Sequence, residues 1–299
     1  ELLAGTDGGF FKTTNGGTTF TDLTVGMEIS QFYRIDVSKF SASRIVGGTQ
    51  DNGGFGYDNQ WNNYHGGDGM EGVIDPNNDN NYYGFMQNGQ NLFYSSSAGQ
   101  GGTSSYGMPS GESGNWITPL AFNSDSELYA GYTHLYQFNG SGWDQISPDF
   151  SSNIDRLEID PSDSNNIYVA INSSLRKSTD KGVSFTEVES FFSNITSIEV
   201  NNEDSNFVYV TTSGFAGGVY QSNDGGNTFT NITGSLPNVT KNIVVHTPED
   251  YNNTLYVGTN IGVYKYDDTT LDWEPFINNL PTTSVRDLAI NTADGIIAA

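Results

Sequence analysis

The residue types best suited to chemistry are concentrated in two segments, 48–54 and 63–71, and in two shorter ones further along the chain. Carboxylates, carboxamides, imidazoles and phenol rings beside glycine-rich backbone are suited to orient a carbohydrate or peptide through a few polar contacts. The predicted binding residues are Gln50, Asp51, Asn52, His65, Asp68, Glu71, Gln87, Asn88, Tyr132 and His134. The competing interpretation is that these segments are irregular turns with a purely structural role.

Three carboxylates are candidates for catalysis: Asp68, Asp51 and Asp7. Hydrolysis of a glycosidic bond requires two carboxyl groups that face one cleft, about 5–5.5 Å or about 6.5–9.5 Å apart. The three histidines lack the spacing of metal ligands, and the sequence contains no nucleophile elbow. The sequence therefore predicts no metal ion and no cofactor.

A repeat of about 40 residues must position these side chains. Each copy reads as an alternating strand, a polar turn, a second strand, a glycine-containing turn, a third strand and a short fourth strand that an aromatic residue marks. The marking aromatics are Phe20, Trp61, Trp116, Trp143, Phe185, Phe229 and Trp273. Period-two alternation and dense turn residues predict an all-β chain, a single β-propeller over residues 1–299 with seven blades of four antiparallel strands.

Two copies depart from the average spacing. Residues 99–114, rich in glycine and serine, lengthen the interval that ends at Trp116, and we expect them to form a long loop. The next interval is short, because residues 139–142, Asn-Gly-Ser-Gly, replace the usual connection by a tight turn.

The connection between the third and fourth strands carries its own motif. Residues 222–229 read Ser-Asn-Asp-Gly-Gly-Asn-Thr-Phe, and residues 178–185 and 13–20 repeat the pattern. The side chains of Asp224, Asp180 and Asn15 are predicted to hold backbone N–H groups of the turn, and glycine supplies positive φ. The predicted binding residues lie mainly in second-to-third and fourth-to-first connections, which emerge on the opposite side of a blade.

This octapeptide resembles the Asp-box, or BNR repeat, of sialidase-like β-propellers, in which the box lies away from the ligand. Segments 47–53 and 67–76 look like sortilin-like propellers of large secreted or surface-anchored Bacteroidetes proteins, exported through type IX secretion with a C-terminal sorting domain. Residues 3–9, around Asp7, look like the segment that holds the catalytic base in two-propeller, xyloglucan-hydrolysing glycosidases. The same phrase recurs at 258–262, so the repeat itself also explains it. The resemblance implies that the two catalytic carboxylates come from different propellers.

The composition limits the partners. The chain has 11 Lys and Arg against 35 Asp and Glu, a net charge of −24, and no apolar run long enough to span a membrane. Such a surface excludes nucleic acid and membrane insertion, disfavours anionic membranes and polyanionic glycans as partners, and favours a neutral glycan or a protein. We expect a secreted or cell-surface module excerpted from a longer chain. Two hypotheses remain: a non-catalytic binding or scaffold propeller, and a glycoside hydrolase or part of one.

Overall fold

A computed structural model describes residues 1–6, 9–26, 31–248, 253–267, 269–277, 280 and 282–299. The chain divides into two compact units, Glu1–Gln31 and Phe32–Ala299. The first unit is an antiparallel sheet in the order β1-β2-β3, formed by β1 Leu2–Thr6, β2 Gly9–Thr13 and β3 Thr21–Asp22. That residues 1–299 form one propeller stays a prediction for this unit.

The second unit contains six four-stranded antiparallel sheets within the described residues, each with its strands in chain order. The first three are β4 Phe32–Val37, β5 Arg44–Thr49, β6 Gly53–Asp58 and β7 Trp61–His65; β8 Gly69–Ile74, β9 Tyr82–Met86, β10 Asn91–Ser95 and β11 Thr103–Gly107; and β12 Leu120–Phe122, β13 Leu128–Gly131, β14 Leu135–Phe138 and β15 Trp143–Gln145. The next three are β16 Arg156–Ile159, β17 Ile167–Ile171, β18 Ser174–Ser178 and β19 Thr186–Ser190; β20 Ile195–Val200, β21 Val208–Thr212, β22 Val219–Ser222 and β23 Thr230–Asn231; and β24 Lys241–His246, β25 Leu255–Thr259, β26 Gly262–Asp267 and β27 Asp272–Pro275. A seventh sheet pairs β28 Ala289–Asn291 with β29 Ile296–Ala298, and the 3-10 turn Gln87–Gly89 follows β9.

The first strands of these sheets pack against one another in a ring. β4 contacts β8, and the contacts continue through β12, β16, β20 and β24, while β28 returns to β4. They surround an axial cavity of about 640 Å³. Blades arranged radially around an axis are the architecture of a β-propeller, so the predicted fold class is confirmed, with about seven blades.

The repeat is more regular than the aromatic residues indicated. The fourth strands of the six complete blades begin at residues 61, 103, 143, 186, 230 and 272, at intervals of 40 to 44. The assignment of Trp116 to a fourth strand is wrong, because Trp116 lies in the connection between β11 and β12. The prediction that residues 99–114 are a long loop is wrong in its middle, where β11 pairs with β10. A strand of Thr, Ser, Ser, Tyr and Gly carries too little apolar alternation to be recognised.

The turn at residues 139–142 is confirmed. The side-chain oxygen of Asn139 accepts hydrogen bonds from the backbone N–H groups of Ser141 and Gly142, at 3.1 and 2.9 Å. The backbone N–H of Asn139 donates to the carbonyl of Gly142 at 3.0 Å, which closes the connection between β14 and β15.

The octapeptide turns are closed by their own side chains. Asp224 Oδ1 accepts from the backbone N–H groups of Asn227 and Thr228, at 3.0 and 2.9 Å, and Oδ2 accepts the Thr228 hydroxyl at 2.7 Å. The Ser222 hydroxyl donates to Asp224 at 2.7 Å and accepts from the Gly226 N–H at 2.8 Å. These contacts surround one backbone turn, which brings the end of β22 to the start of β23.

The turn after β10 repeats part of this pattern. The Ser95 hydroxyl accepts from the Gly99 N–H at 3.1 Å, as Ser222 does from Gly226. Ser97 stands in the place of the aspartate, so the turn keeps its glycine contact without a carboxylate. Residues 95–99 are therefore a reduced copy of the motif.

Candidate functional site

The candidate site lies on the side of the second unit that we call the loop face, formed by the second-to-third and fourth-to-first strand connections. In antiparallel blades these connections emerge together, opposite the octapeptide turns. The described second-to-third connections include 50–52, 87–90, 132–134 and 213–218, and the fourth-to-first connections include 66–68, 108–119, 146–155 and 191–194.

Several predicted binding residues meet on this face. The backbone N–H of Asp51 donates to Asp68 Oδ1 at 2.7 Å, and the N–H of Asp68 donates to Gln87 Oε1 at 3.2 Å. Gln50 Oε1 accepts the Tyr33 hydroxyl at 2.8 Å. The connections of the first and second blades are therefore joined, and one carboxyl oxygen of Asp68 is occupied in joining them.

Asn52 and Asn88 extend the same surface. The Asn52 side-chain amide donates to the carbonyl of Gln50 at 3.0 Å. Asn88, at φ 58°, donates its backbone N–H to the carbonyl of Trp116 at 3.2 Å and accepts from the Gly114 N–H at 3.0 Å. These bonds attach the long connection 108–119 to the second blade.

Three predicted binding residues point into the protein. His65 is 5% exposed, its ring stacks on Phe93 at 4.4 Å between centroids, and burial lowers its pKa to about 4. Tyr132 is fully buried and donates its hydroxyl to the carbonyl of Gly89 at 2.7 Å. Glu71 lies in the axial cavity, 3.4 Å from the Arg34 guanidinium, and burial raises its pKa although Arg34 opposes this shift. His65 and Tyr132 are therefore packed inside the blades, and Glu71 lines the axial cavity instead of the loop face.

His134 belongs to a network on the third blade. Its Nδ1 lies 2.7 Å from Glu112 Oε1, and the hydroxyls of Thr133 and Tyr136 donate to the same carboxylate at 2.9 and 3.0 Å. Sequence reasoning selected His134 but missed Glu112, because Glu112 lies in the segment interpreted as a glycine-rich loop. An acidic residue inside such a segment was the available signal.

Exposed aromatic rings were also missed. Phe192 and Phe215 are 88% and 77% exposed, and Trp116 is 45% exposed. All three lie in connections of the loop face. A phenylalanine between Gly214 and Gly217, in a chain that buries most of its rings, was a readable signal for Phe215.

The axial cavity holds a second set of ionisable groups. Asp36, Glu199 and Asp287 each accept a backbone N–H from the first strand of the next blade, at 2.8, 3.0 and 2.8 Å. Burial raises the pKa of Asp36 to about 7 and that of Glu199 to about 8. We call these three residues, with Glu158, the seam carboxylates, because they join neighbouring blades.

The structure also bears on metal sites and membrane spans. Among the residues it describes, no group of three or more His, Cys, Asp or Glu side chains is placed to hold a metal ion. No helix in the described part of the chain has the length and hydrophobicity to cross a membrane. Asp7 lies outside the described residues.

Comparison with known proteins gives likeness in structure alone. No family model matches the sequence, and no curated protein is similar to it. The GH74 xyloglucanase from Xanthomonas campestris superposes with a TM-score of 0.73 at 14% identity, covering 89% of this chain and 50% of that one. An ancestral GH74 enzyme superposes with a TM-score of 0.67 at 15% identity, covering 83% of this chain and 39% of that one. The chain thus spans half or less of two propeller-type enzymes and shares their fold.

Proposed function

We propose that this chain is a non-catalytic glycan-binding propeller of a secreted or cell-surface protein, which engages a neutral glycan through its loop face. The observation that carries the proposal is the exposure of Trp116, Phe192 and Phe215, which all lie in connections of that face. Aromatic rings supply apolar area against the faces of sugar rings, and a few polar groups fix orientation. The net charge of −24 favours a neutral ligand over a polyanionic one.

A glycoside hydrolase, or half of one, is the second candidate. The likeness to two GH74 enzymes favours it, since this chain covers only part of each. Against it stands the use of Asp68, which holds the backbone of Asp51 with one of its carboxyl oxygens. On this alternative, the chain would contribute one wall of a cleft, and a second propeller would contribute the other.

Binding tests the proposal directly. We expect isothermal titration with xyloglucan oligosaccharides and other neutral β-glucans to give a measurable Kd, and Phe215→Ser to weaken it about three- to tenfold because stacking is lost. The matched control is Phe40→Ser, since Phe40 is 54% exposed in the connection between β4 and β5, on the opposite face. Equal binding by both variants would contradict the assignment of the face.

A reducing-end assay on the same glucans separates the two candidates. The proposal expects binding without turnover. If the wild-type protein hydrolyses a glucan and Asp68→Asn or Asp51→Asn abolishes this activity, the hydrolase candidate would replace the proposed binding function.

A further inference from the structure

We propose that His134 contacts the glycan through its Nε2 atom, and that Glu112 is the positioning residue that fixes the imidazole for this contact. The proposal rests on the proposed glycan-binding function and assigns one hydrogen bond within it. It concerns the third blade, where the connection 108–119 meets the connection 132–134.

The Glu112 carboxylate is held from several directions. It accepts the Thr133 hydroxyl at 2.9 Å, the Thr133 backbone N–H at 3.3 Å and the Tyr136 hydroxyl at 3.0 Å, and His134 Nδ1 lies at 2.7 Å. Burial by itself would raise the pKa of Glu112, but the hydrogen bonds from His134, Thr133 and Tyr136 outweigh it and lower the pKa. The group is therefore a fixed anion with four protein contacts.

An ionised carboxylate only accepts hydrogen bonds, so its short contact places the proton of a neutral His134 on Nδ1. In this neutral form the other ring nitrogen, Nε2, carries a lone pair and is an acceptor. Among the described residues no hydrogen bond reaches Nε2, while the side chain of Glu112 is 6% exposed and that of His134 is 20% exposed. The anion is buried, and the partly exposed His134 side chain lies in a connection of the loop face.

The chemistry of this acceptor selects the ligand class. A hydroxyl group of a sugar donates a hydrogen bond to a neutral imidazole nitrogen, whereas an anion offers no proton. The segment that supplies Glu112 also supplies Trp116, whose ring is partly exposed on the same face. A stacking ring on the connection 108–119 and an acceptor on the connection 132–134, which Glu112 joins to it, suit a neutral polyhydroxylated chain.

Two amide substitutions of His134 distinguish a contact between Nε2 and the glycan from a purely structural contact between Nδ1 and Glu112. In His134→Asn the amide nitrogen takes the place of Nδ1 and still reaches Glu112, but nothing replaces Nε2. In His134→Gln the amide reaches the position of Nε2 but loses the Glu112 contact. We expect His134→Asn to weaken binding of a xyloglucan oligosaccharide about tenfold at pH about 7.5, and His134→Gln to weaken it less. A purely structural histidine requires the reverse order.

The tautomer is a second readout. Long-range ¹H–¹⁵N spectra of the wild-type imidazoles should show His134 protonated on Nδ1, and Glu112→Gln should introduce the Nε2-protonated form and weaken binding. This variant keeps the inference testable if His134→Asn lowers the melting temperature. If the wild-type protein binds a glycan and both His134→Asn and Glu112→Gln bind it equally well, the role of His134 would be overturned and the proposed function would stand. Absence of wild-type binding to every glycan tested would overturn the proposed function with it.

Discussion

At the scale of single residues, hydrogen-bond partners decide whether a polar side chain serves the fold or the loop face. Asp224 directs its carboxylate into its own turn, and these hydrogen bonds, led by the Thr228 N–H, lower its pKa to about 2. His134 has its Nδ1 held by Glu112, and its partly exposed side chain lies in a connection of the loop face. Residue type alone does not separate the two roles, because both are polar groups beside glycine.

Substitution of Asp224 tests the structural role. Asp224→Ala should lower the melting temperature, because the N–H groups of Asn227 and Thr228 lose their acceptor, while glycan binding on the opposite face should persist. Asp224→Asn is the matched control. Asn15 holds the equivalent turn of the first unit with an amide, accepting the Thr19 N–H at 3.0 Å and donating to the Thr19 hydroxyl at 2.8 Å. The melting temperature, followed by circular dichroism, should therefore fall less with asparagine than with alanine.

At the scale of elements, the strand repeat was predictable and its exceptions were not. Strands such as β21 Val208–Thr212 and β25 Leu255–Thr259 begin as short apolar runs, end in small residues and are buried along their whole length, so the pattern located them. β11 Thr103–Gly107 is an edge strand and is mostly exposed, so selection for apolar residues is weak there and no pattern results. The wrong assignment of Trp116 followed from this. Because β11 was not recognised as the fourth strand of its blade, the next tryptophan along the chain was assigned to that strand instead.

Part of the site was hidden for a related reason. Sequence identified connections by their glycine and polar residues, which located Gln50, Asp68 and His134 on the loop face. It did not show which side chains turn inward: His65 stacks on Phe93, a residue 28 positions away in another blade. Contacts between blades are long-range, and the local pattern contains no information about them.

The seam carboxylates make stability depend on pH. Burial raises the pKa of Asp36 to about 7 and that of Glu199 to about 8, and burial together with neighbouring Glu199 raises that of Glu158. Between the unfolded pKa values near 4 and these folded values, the native state binds more protons than the unfolded state, so stability falls as pH rises. We expect the melting temperature to decrease from pH about 5 to pH about 8.

Replacement of one seam carboxylate by glutamine tests whether its ionisation causes the pH dependence of the melting temperature. Glu199→Gln still offers an oxygen to the His246 N–H but removes the ionisation, so its melting temperature should change less steeply with pH. Glu274→Gln, on the exposed part of β27, should keep the wild-type dependence of melting temperature on pH.

Below pH about 4 a separate loss of stability is expected, because the octapeptide carboxylates of Asp180 and Asp224, whose pKa values lie at about 2, become protonated. A melting temperature that rises from pH 5 to 8 in all three proteins would contradict the seam account.

At the scale of the whole molecule, charge is the dominant property. A net charge of −24 over 299 residues means that repulsion opposes the compact state. Salt screens this repulsion, since the Debye length falls from about 30 Å at 10 mM to about 3 Å at 1 M. A neutral glycan, by contrast, carries no charge for salt to screen.

Ionic strength should therefore separate stability from binding. We expect the melting temperature to rise as sodium chloride increases from about 10 mM to about 1 M, with potassium chloride acting alike because screening depends on ionic strength. Over the same range the Kd for a xyloglucan oligosaccharide should stay within about twofold, because stacking and hydroxyl contacts involve no net charge. A Kd that weakens steeply with salt would instead indicate a cationic ligand attracted by the acidic surface. Such a ligand would count against a neutral glycan as the partner of the loop face.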